Sequence, residues 1–365
     1  MSQIIVIGAG VVGSTLAFQL AQGGANLTIV DRAGPAYGTT GTSFSWTNAN
    51  QKTLEDYFGL NRAGMQAHIA LAQELGNAPW RHEGGNLIWV TDDDDASELE
   101  SRVARLRAWD YPAEWLDRTQ VVELEPGLTP GPEVEQFAFF PTEGWIDGPM
   151  LARSMCDLAI AHGARPRFAS EVVAMLRDGN RVTGVRLADG EELHADFVVN
   201  CAGPGADKVA ALAGRTLPLA PTTGFIVRVA GAADAIGRVM HAPRVHMRPD
   251  GGGLIALHHS DADAGIARDE SPNEWSKELL RRATEYVPAM ASAQLSRWSV
   301  TTRPIPADEH TSAGLVSTIP GYAEVVTHSG ITLGPLLGSL VARELLTGEA
   351  NSLLAPFRPD RFGSR

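Results

Sequence analysis

Residues Gln3 to Asp31 read as a strand, a glycine turn, a helix and a second strand that closes on an acid, and few folds accept that succession. Gln3–Ile7 is a short apolar run of the kind that a parallel sheet buries on both faces. Gly8-Ala9-Gly10-Val11-Val12-Gly13 follows at once. In such a turn the first glycine permits the tight bend, the second lets backbone N–H groups approach a pyrophosphate, and the third lets the helix pack closely on the strand. The helix, Val11–Gln22, directs its positive end at the phosphates and stops at Gly23-Gly24. Asn26–Val30 is the second strand, and Asp31 stands where a carboxylate accepts hydrogen bonds from an adenosine ribose. A dinucleotide site is expected. The acid disfavours a 2′-phosphate and so argues against NADP, but it does not separate NAD from FAD.

At 365 residues the chain exceeds one comfortable core, so two domains are expected. Lys and Arg number 30 against 43 Asp and Glu, a net charge of −13 that makes a nucleic-acid or anionic-membrane surface a poor expectation. An anionic substrate stays open, because one buried arginine can outweigh the global field locally. Two cysteines, Cys156 and Cys201, build neither a metal site nor a disulfide framework, and a reducing cytoplasm is the simplest reading. The N-terminal apolar run belongs to the first strand rather than to a signal peptide, and no stretch approaches a membrane span. Asp92-Asp93-Asp94-Asp95 reads as a solvated helix start ahead of a helical pattern over Ala96–Trp109.

Gly34 to Ser43 is too long and too rich in glycine to be mere connection, and loops of that kind are usually functional. Leu54–Leu75 has helical periodicity, Asn86–Thr91 and Gln136–Phe140 read as strands, and Asp147 is placed to cap a helix over Met150–His162. Strands over Glu171–Met175, Arg181–Leu187 and Glu191–Ala195 precede Asp196–Asn200, which runs into a second glycine turn, Cys201-Ala202-Gly203-Pro204-Gly205. From Thr222 to Thr302 the pattern becomes alternating strands around one amphipathic helix, Glu274–Tyr286, an α+β insertion rather than more parallel sheet. Alternation returns at Gly314–Thr318 and Ala323–Thr327, and Thr332 is placed to cap a long apolar helix, Leu333–Leu346. The expected fold is therefore an α/β Rossmann-like nucleotide domain interleaved with an α+β substrate domain of antiparallel sheet and helices. Residues 1–80, 142–218 and 305–365 fall to the first, 81–141 and 219–304 to the second. A nucleotide domain assembled from separated pieces favours a flavoprotein over an ordinary NAD dehydrogenase.

Ile4–Gly13 with Asp31, Gly144-Trp145-Ile146-Asp147, Val198–Pro204, and Thr302-Arg303-Pro304 with His328–Pro335 together resemble the D-amino-acid oxidase, glycine oxidase and sarcosine oxidase family of FAD-dependent amine oxidoreductases. The blocks span the whole chain in the family's order. The ribose acid is Asp where Glu is more usual, and the loop Thr39–Asn50 differs from that of the well-known glycine and D-amino-acid oxidases. Neither a cysteine near His328–Leu333 nor a histidine in Thr39–Asn50 is present for a covalent link, so the resemblance implies non-covalent FAD. It further implies that Gly8, Gly10, Val11, Val12, Gly13, Asp31, Arg32, Thr39, Thr42, Ser43, Val173, Cys201, Ala202, Gly203, Gly330, Ile331, Thr332 and Leu333 hold the cofactor.

Oxidising an amine needs an electron sink against the α-carbon, which a flavin supplies while the protein binds, orients and adjusts charge. The backbone N–H groups of Gly330–Leu333 are expected at the negative edge of the reduced ring. Arg303, expected to end the strand Arg297–Thr302, matches the arginine that binds substrate carboxylate in similar enzymes. A guanidinium fork suits a carboxylate as lysine cannot. His258 stands where sarcosine-oxidase-like relatives carry a histidine beside the flavin, with its neighbour His259 facing the other way. Tyr322 is expected to hydrogen-bond the carboxylate, and His328 to brace the flavin turn. The expected activity is oxidation of an amino acid of the D- or glycine type to an imine that water hydrolyses, with oxygen or another carrier as acceptor. Alternatives are a demethylating or imino-acid oxidoreductase of the sarcosine or proline type, and a non-catalytic flavin-carrying subunit. A homo-oligomer is compatible with all of these.

Overall fold

The computed structural model describes residues 2–363; Met1, Ser364 and Arg365, assigned above to the nucleotide portion, lie outside the described residues. Its first sheet runs in the order Ser312–Leu315, Tyr322–Val326, Phe197–Asn200, Gln3–Ile7, Asn26–Val30, Arg165–Arg167, all parallel except the hairpin at the first edge. The central strand Gln3–Ile7 pairs Ile5 with both Thr28 and Val198, so its apolar run is enclosed from both sides. Helices Val11–Gln22, Gly148–Ala161 and Gly330–Thr347 share a core with one face of this sheet, including Leu16, Leu151, Met155 and Leu337. A three-stranded antiparallel sheet, Val172–Asp178, Arg181–Leu187 and Glu192–His194, covers the other face through Met175, Val185 and Ile5. Burial of these side chains at ~25 cal/mol per Å² of apolar surface is the main force holding the layers together.

The second large sheet takes strands from two distant stretches, Asn86–Ile88, Glu114–Asp117 and Gln136–Phe140 from one, and Leu219–Ala230, Val239–Ala242, Val245–Asp250, Leu254–His258 and Gln294–Pro306 from the other. The expectation of an antiparallel sheet needs correction: Val239–Ala242 joins Asn86–Ile88 in parallel, so the sheet is mixed. That parallel join is where the two stretches meet. Alternation along each strand sends Phe225, Val227, Met247, Ile255 and Leu257 into a core under helices Ser260–Ala267 and Pro272–Tyr286. The opposite face packs Ile88, Ala138 and Phe140 into a separate core at one end and is polar at the other, where His241, His246 and His258 stand.

Two expected boundaries shift for physical reasons. The strand expected to end at Thr302 continues to Pro306, because it is the edge strand and its prolines need no ladder partner on the open side. The helix expected from Leu333 begins at Gly330 with Ser329 at its N-cap, so Thr332 lies inside the first turn and is not the cap. Asp147 and Asp92 do cap their helices, accepting from the N–H groups of Met150 and Asp95 at 2.9 Å each. Among the described residues no helix is long and apolar enough to cross a membrane.

Candidate active site

A cavity of about 620 Å³ runs from the first glycine turn to the edge of the mixed sheet. At one end the backbone is set by close packing. A Cβ on Gly8 would sit 2.3 Å from the Cys201 carbonyl, and one on Gly13 would sit 1.9 Å from the Gly8 carbonyl. Strand, turn and helix therefore touch through bare backbone. The first bond inside the helix runs from Ser14 N–H to the Gly10 carbonyl at 2.9 Å, and Thr40 Oγ1 accepts from Val11 N–H at 3.0 Å. Val12 and Gly13 N–H are left without intrahelical acceptors at the positive end of the helix, as an anion requires. Asp31 lines the wall, its carboxylate accepting from Ala9, Ala33 and Gly34 N–H at 2.8–2.9 Å. Arg32, Val173, Cys201, Ala202 and Gly203 line the same end. Burial pushes the Cys201 thiol well above its ordinary range, so it packs as an apolar group.

At the other end Thr39, Ser43, Gly330 and Ile331 face Thr301, Thr302 and Pro304 of the edge strand. Leu333 N–H already donates to Ser329 O at 2.9 Å, so only Gly330, Ile331 and Thr332 offer free N–H groups there. The side chains of Thr42, Thr332 and Leu333 turn into the surrounding packing rather than the cavity, which leaves Thr332 only its main-chain N–H to offer there. Thr42 Oγ1 donates to the Thr39 carbonyl, Thr332 Oγ1 accepts from Asn48 N–H, and Leu333 is fully buried. His68, missed in the sequence, braces this turn by a 2.8 Å bond to the Ile331 carbonyl; burial lowers its pKa to about 4, so the ring is the neutral donor. His328 lines the cavity, and burial, reinforced by Lys52 and Arg303, takes it down to about 4 as well.

The polar face of the mixed sheet stands beyond. Pairing of Thr222 with Arg303, and of Gly224 with Thr301, puts Arg303 on the face that carries His241, His246 and His258. Gly224 leaves room for the guanidinium, which a Cβ there would meet at 3.3 Å. Arg303 Nη1 donates to Thr223 O, and Nη2 reaches both His258 Nε2 at 3.3 Å and Asp263 Oδ2 in a short ion pair. His258 Nε2 is 3.0 Å from the same Asp263 oxygen. Burial opposes ionisation of Asp263, yet His258 and Arg303 hold it below the usual carboxylate range. Arg303 and His258 are thus brought together. Tyr322 is not: it is wholly buried in the parallel sheet, where its hydroxyl accepts from Asn200 Nδ2 at 2.8 Å. Its place in the central layer corrects the carboxylate role expected of it. Tyr322→Phe is expected to leave substrate affinity unchanged and to cost about 1 kcal/mol of stability, read from steady-state kinetics beside denaturant midpoints.

The loop between cavity and sheet is fixed from both sides. Ser45 holds φ at 57°, a left-handed backbone that a non-glycine residue adopts only under constraint. Arg248, fully buried, donates to the Phe44 carbonyl and lies 4.6 Å over the Trp145 ring. Asp250 holds Arg248 at 2.9 Å and Arg228 at 2.6 Å. Below the loop, Glu143 accepts from Trp46, Asn50, Asn86 and Tyr111 at 2.7–3.1 Å, and Asn86 in turn accepts from His241 Nδ1 at 2.8 Å. Glu143, Arg248, Asp250 and His241 escape sequence reading because they meet their partners only through the fold.

Burial raises the Glu143 pKa to about 7 against an ordinary 4.5, although its donors favour the carboxylate. The folded chain then binds more protons than the unfolded chain between those pH values. Stability should fall as pH rises through that window, by on the order of 3 kcal/mol, and level off above it. Glu143→Gln should abolish that slope, as chemical denaturation at pH 5 and pH 8 would show.

Comparison with known proteins decides the family. The family model described as "FAD dependent oxidoreductase", DAO, matches residues 3–344. The chain belongs to this family. It is 25% identical to glycine oxidase of Geobacillus kaustophilus over 97% of this chain and 95% of that protein. The crystal structure of that glycine oxidase shares the fold at a TM-score of 0.84, with 22% identity and 98% of each chain covered. L-proline dehydrogenase from P. horikoshii does so at 0.83, with 20% identity over 99% of this chain and 97% of that one. FAD is the cofactor, and the chain is an FAD-dependent oxidoreductase. The cavity fits that group: free N–H pairs stand at both ends, glycines lie where any Cβ would collide, and an acid sits at the nucleotide end.

Proposed function

We propose that this enzyme oxidises the C–N bond of an α-amino acid, of the D-amino-acid or glycine type, to an imine that water hydrolyses. The observation that carries the reading is the placement of Arg303 and His258 together, on the sheet face that meets the cavity at Thr301. When bound, FAD supplies the two-electron acceptor for the α-hydrogen. Arg303 holds the substrate carboxylate through the guanidinium hydrogens that Thr223 and Asp263 leave free. His258 borders the amine. Gly330, Ile331 and Thr332 N–H place partial positive charge at the inner end, where negative charge develops. His241, held down to about 3 by burial and its neighbours, is neutral and adds no charge to the face that carries Arg303.

In this reading Gly8, Gly10, Val12, Asp31, Arg32 and Val173 belong to the cofactor's nucleotide end, with Thr39, Ser43 and the 330–332 turn at its other end. Residues 1–80, 142–218 and 305–365 hold the cofactor, and 81–141 with 219–304 cover the substrate. FAD is held without a covalent bond, so denaturation should release it entirely.

The test is an anaerobic panel of D-, L- and N-alkylated α-amino acids mixed with the yellow protein. Loss of colour with a primary amino acid, and ammonia among the products, is the expected result. Loss of colour only with N-alkylated acids, with formaldehyde or a cyclic imine formed, would move the activity to the demethylating or imino-acid type. No loss with any amine would leave a flavin carrier. Readmitting air then reports the acceptor, since rapid return of colour marks an oxidase.

A further inference from the structure

Arg303 does not stand free. One of its nitrogens is bound to Asp263, whose other oxygen accepts from Phe225 N–H at 2.7 Å. That main-chain bond, with His258 at 3.0 Å, anchors the carboxylate so that it cannot swing aside when a ligand arrives. Beyond Arg303 and His258 no further cation among the described residues faces it: burial holds His241 and His246 far below their ordinary range, and His328 is lowered too. The Arg303 side chain is 25% exposed and that of Asp263 is 13%, so both keep an open edge, on the sheet face that carries the cavity-lining Thr301. The recognition surface is therefore a cation and an anion side by side, not a lone cation. A ligand carboxylate on Arg303 meets a fixed carboxylate of like charge, and the encounter is favourable only if the ligand also brings an N–H donor to Asp263.

We infer that Asp263 is a specificity-determining residue that makes the site select ligands carrying a carboxylate and an amine N–H together, and reject carboxylates alone. The inference rests on the reading of Arg303 as the carboxylate-binding residue. Asp263 acts here through contact with the amine and through Arg303, and no proton transfer is asked of it.

The experiment uses FAD-loaded enzyme and a matched pair of probes, 2-aminoisobutyrate, which has no α-hydrogen to lose, and isobutyrate, which lacks the amine. Calorimetric titration of the wild-type enzyme should show 2-aminoisobutyrate binding about tenfold more tightly, the scale of one charge–charge coupling. In Asp263→Asn isobutyrate should tighten, 2-aminoisobutyrate should weaken, and the ratio should approach one. Asp263→Glu, which keeps the charge, should restore the preference. An unchanged ratio in Asp263→Asn overturns the inference, and so does tighter binding of isobutyrate by the wild type, a result independent of whether any variant folds. Arg303→Leu should weaken both probes. If it weakens neither, the carboxylate site itself is misplaced, whereas weakening of both with an unchanged ratio in Asp263→Asn removes Asp263 alone.

Discussion

Arg303→Leu is expected to keep FAD bound and to weaken the binding of carboxylated substrates by ~2–5 kcal/mol, the cost of losing one side of a charged hydrogen-bonded pair. The effect should fall on KM or on inhibitor Kd, because the proposed place of Arg303 is at the substrate's fixed end rather than at the reacting C–H bond. Part of the loss will come from Asp263, which keeps its bonds to Phe225 and His258 but loses its cation. Arg303→Lys separates the contributions. It restores the charge beside Asp263 without the planar fork, so stability should recover while carboxylate affinity stays low. Equal affinity of wild type and Arg303→Leu for carboxylated ligands would take Arg303 out of the site.

Gly13→Ala should remove FAD altogether. The new methyl would lie 1.9 Å from the Gly8 carbonyl and 3.0 Å from its carbon, and neither atom belongs to a side chain that can turn away. Relief requires the helix Val11–Gln22 to lift off the strand Gln3–Ile7, which carries Val12 and Gly13 N–H away from the phosphates. Overpacking of this kind costs ~1–3 kcal/mol even where the fold survives. The purified variant should be colourless and should melt lower. Gly59→Ala is the matched control: nothing lies within 4 Å of its Cβ on the helix Glu55–Leu75, so it should stay yellow and gain ~0.5–1 kcal/mol.

The nucleotide half was legible because its determinants are local. A glycine spacing, an apolar run and an acid at the end of the next strand lie within Gln3–Asp31, and each acts on its chain neighbours. Arg303 and His258 were legible through their motifs, but the reason they meet was not. It lies in the pairing of Leu219–Ala230 with Gln294–Pro306 and with Leu254–His258, which fixes what faces what across the sheet. Tyr322 shows the opposite failure, since a tyrosine after Pro320-Gly321 looks as suited to a substrate carboxylate as to loop packing until the parallel pairing with Phe197–Asn200 buries it. Glu143, Asp250 and Asp263 were hidden for a common reason. Each is an ordinary acid in sequence, and each becomes a hub because burial leaves its oxygens few partners other than distant side chains and main-chain donors.

The central claim is that the FAD cavity and the Arg303 face form one active site for amines that carry a carboxylate. It is tested most directly by anaerobic mixing with matched pairs, alanine against ethylamine and proline against pyrrolidine, in wild type and Arg303→Leu. The account predicts that only the acids discharge the colour of the wild type, and that they lose this advantage in the variant. Equal bleaching by the decarboxylated amines, or an acid preference that survives Arg303→Leu, would contradict it.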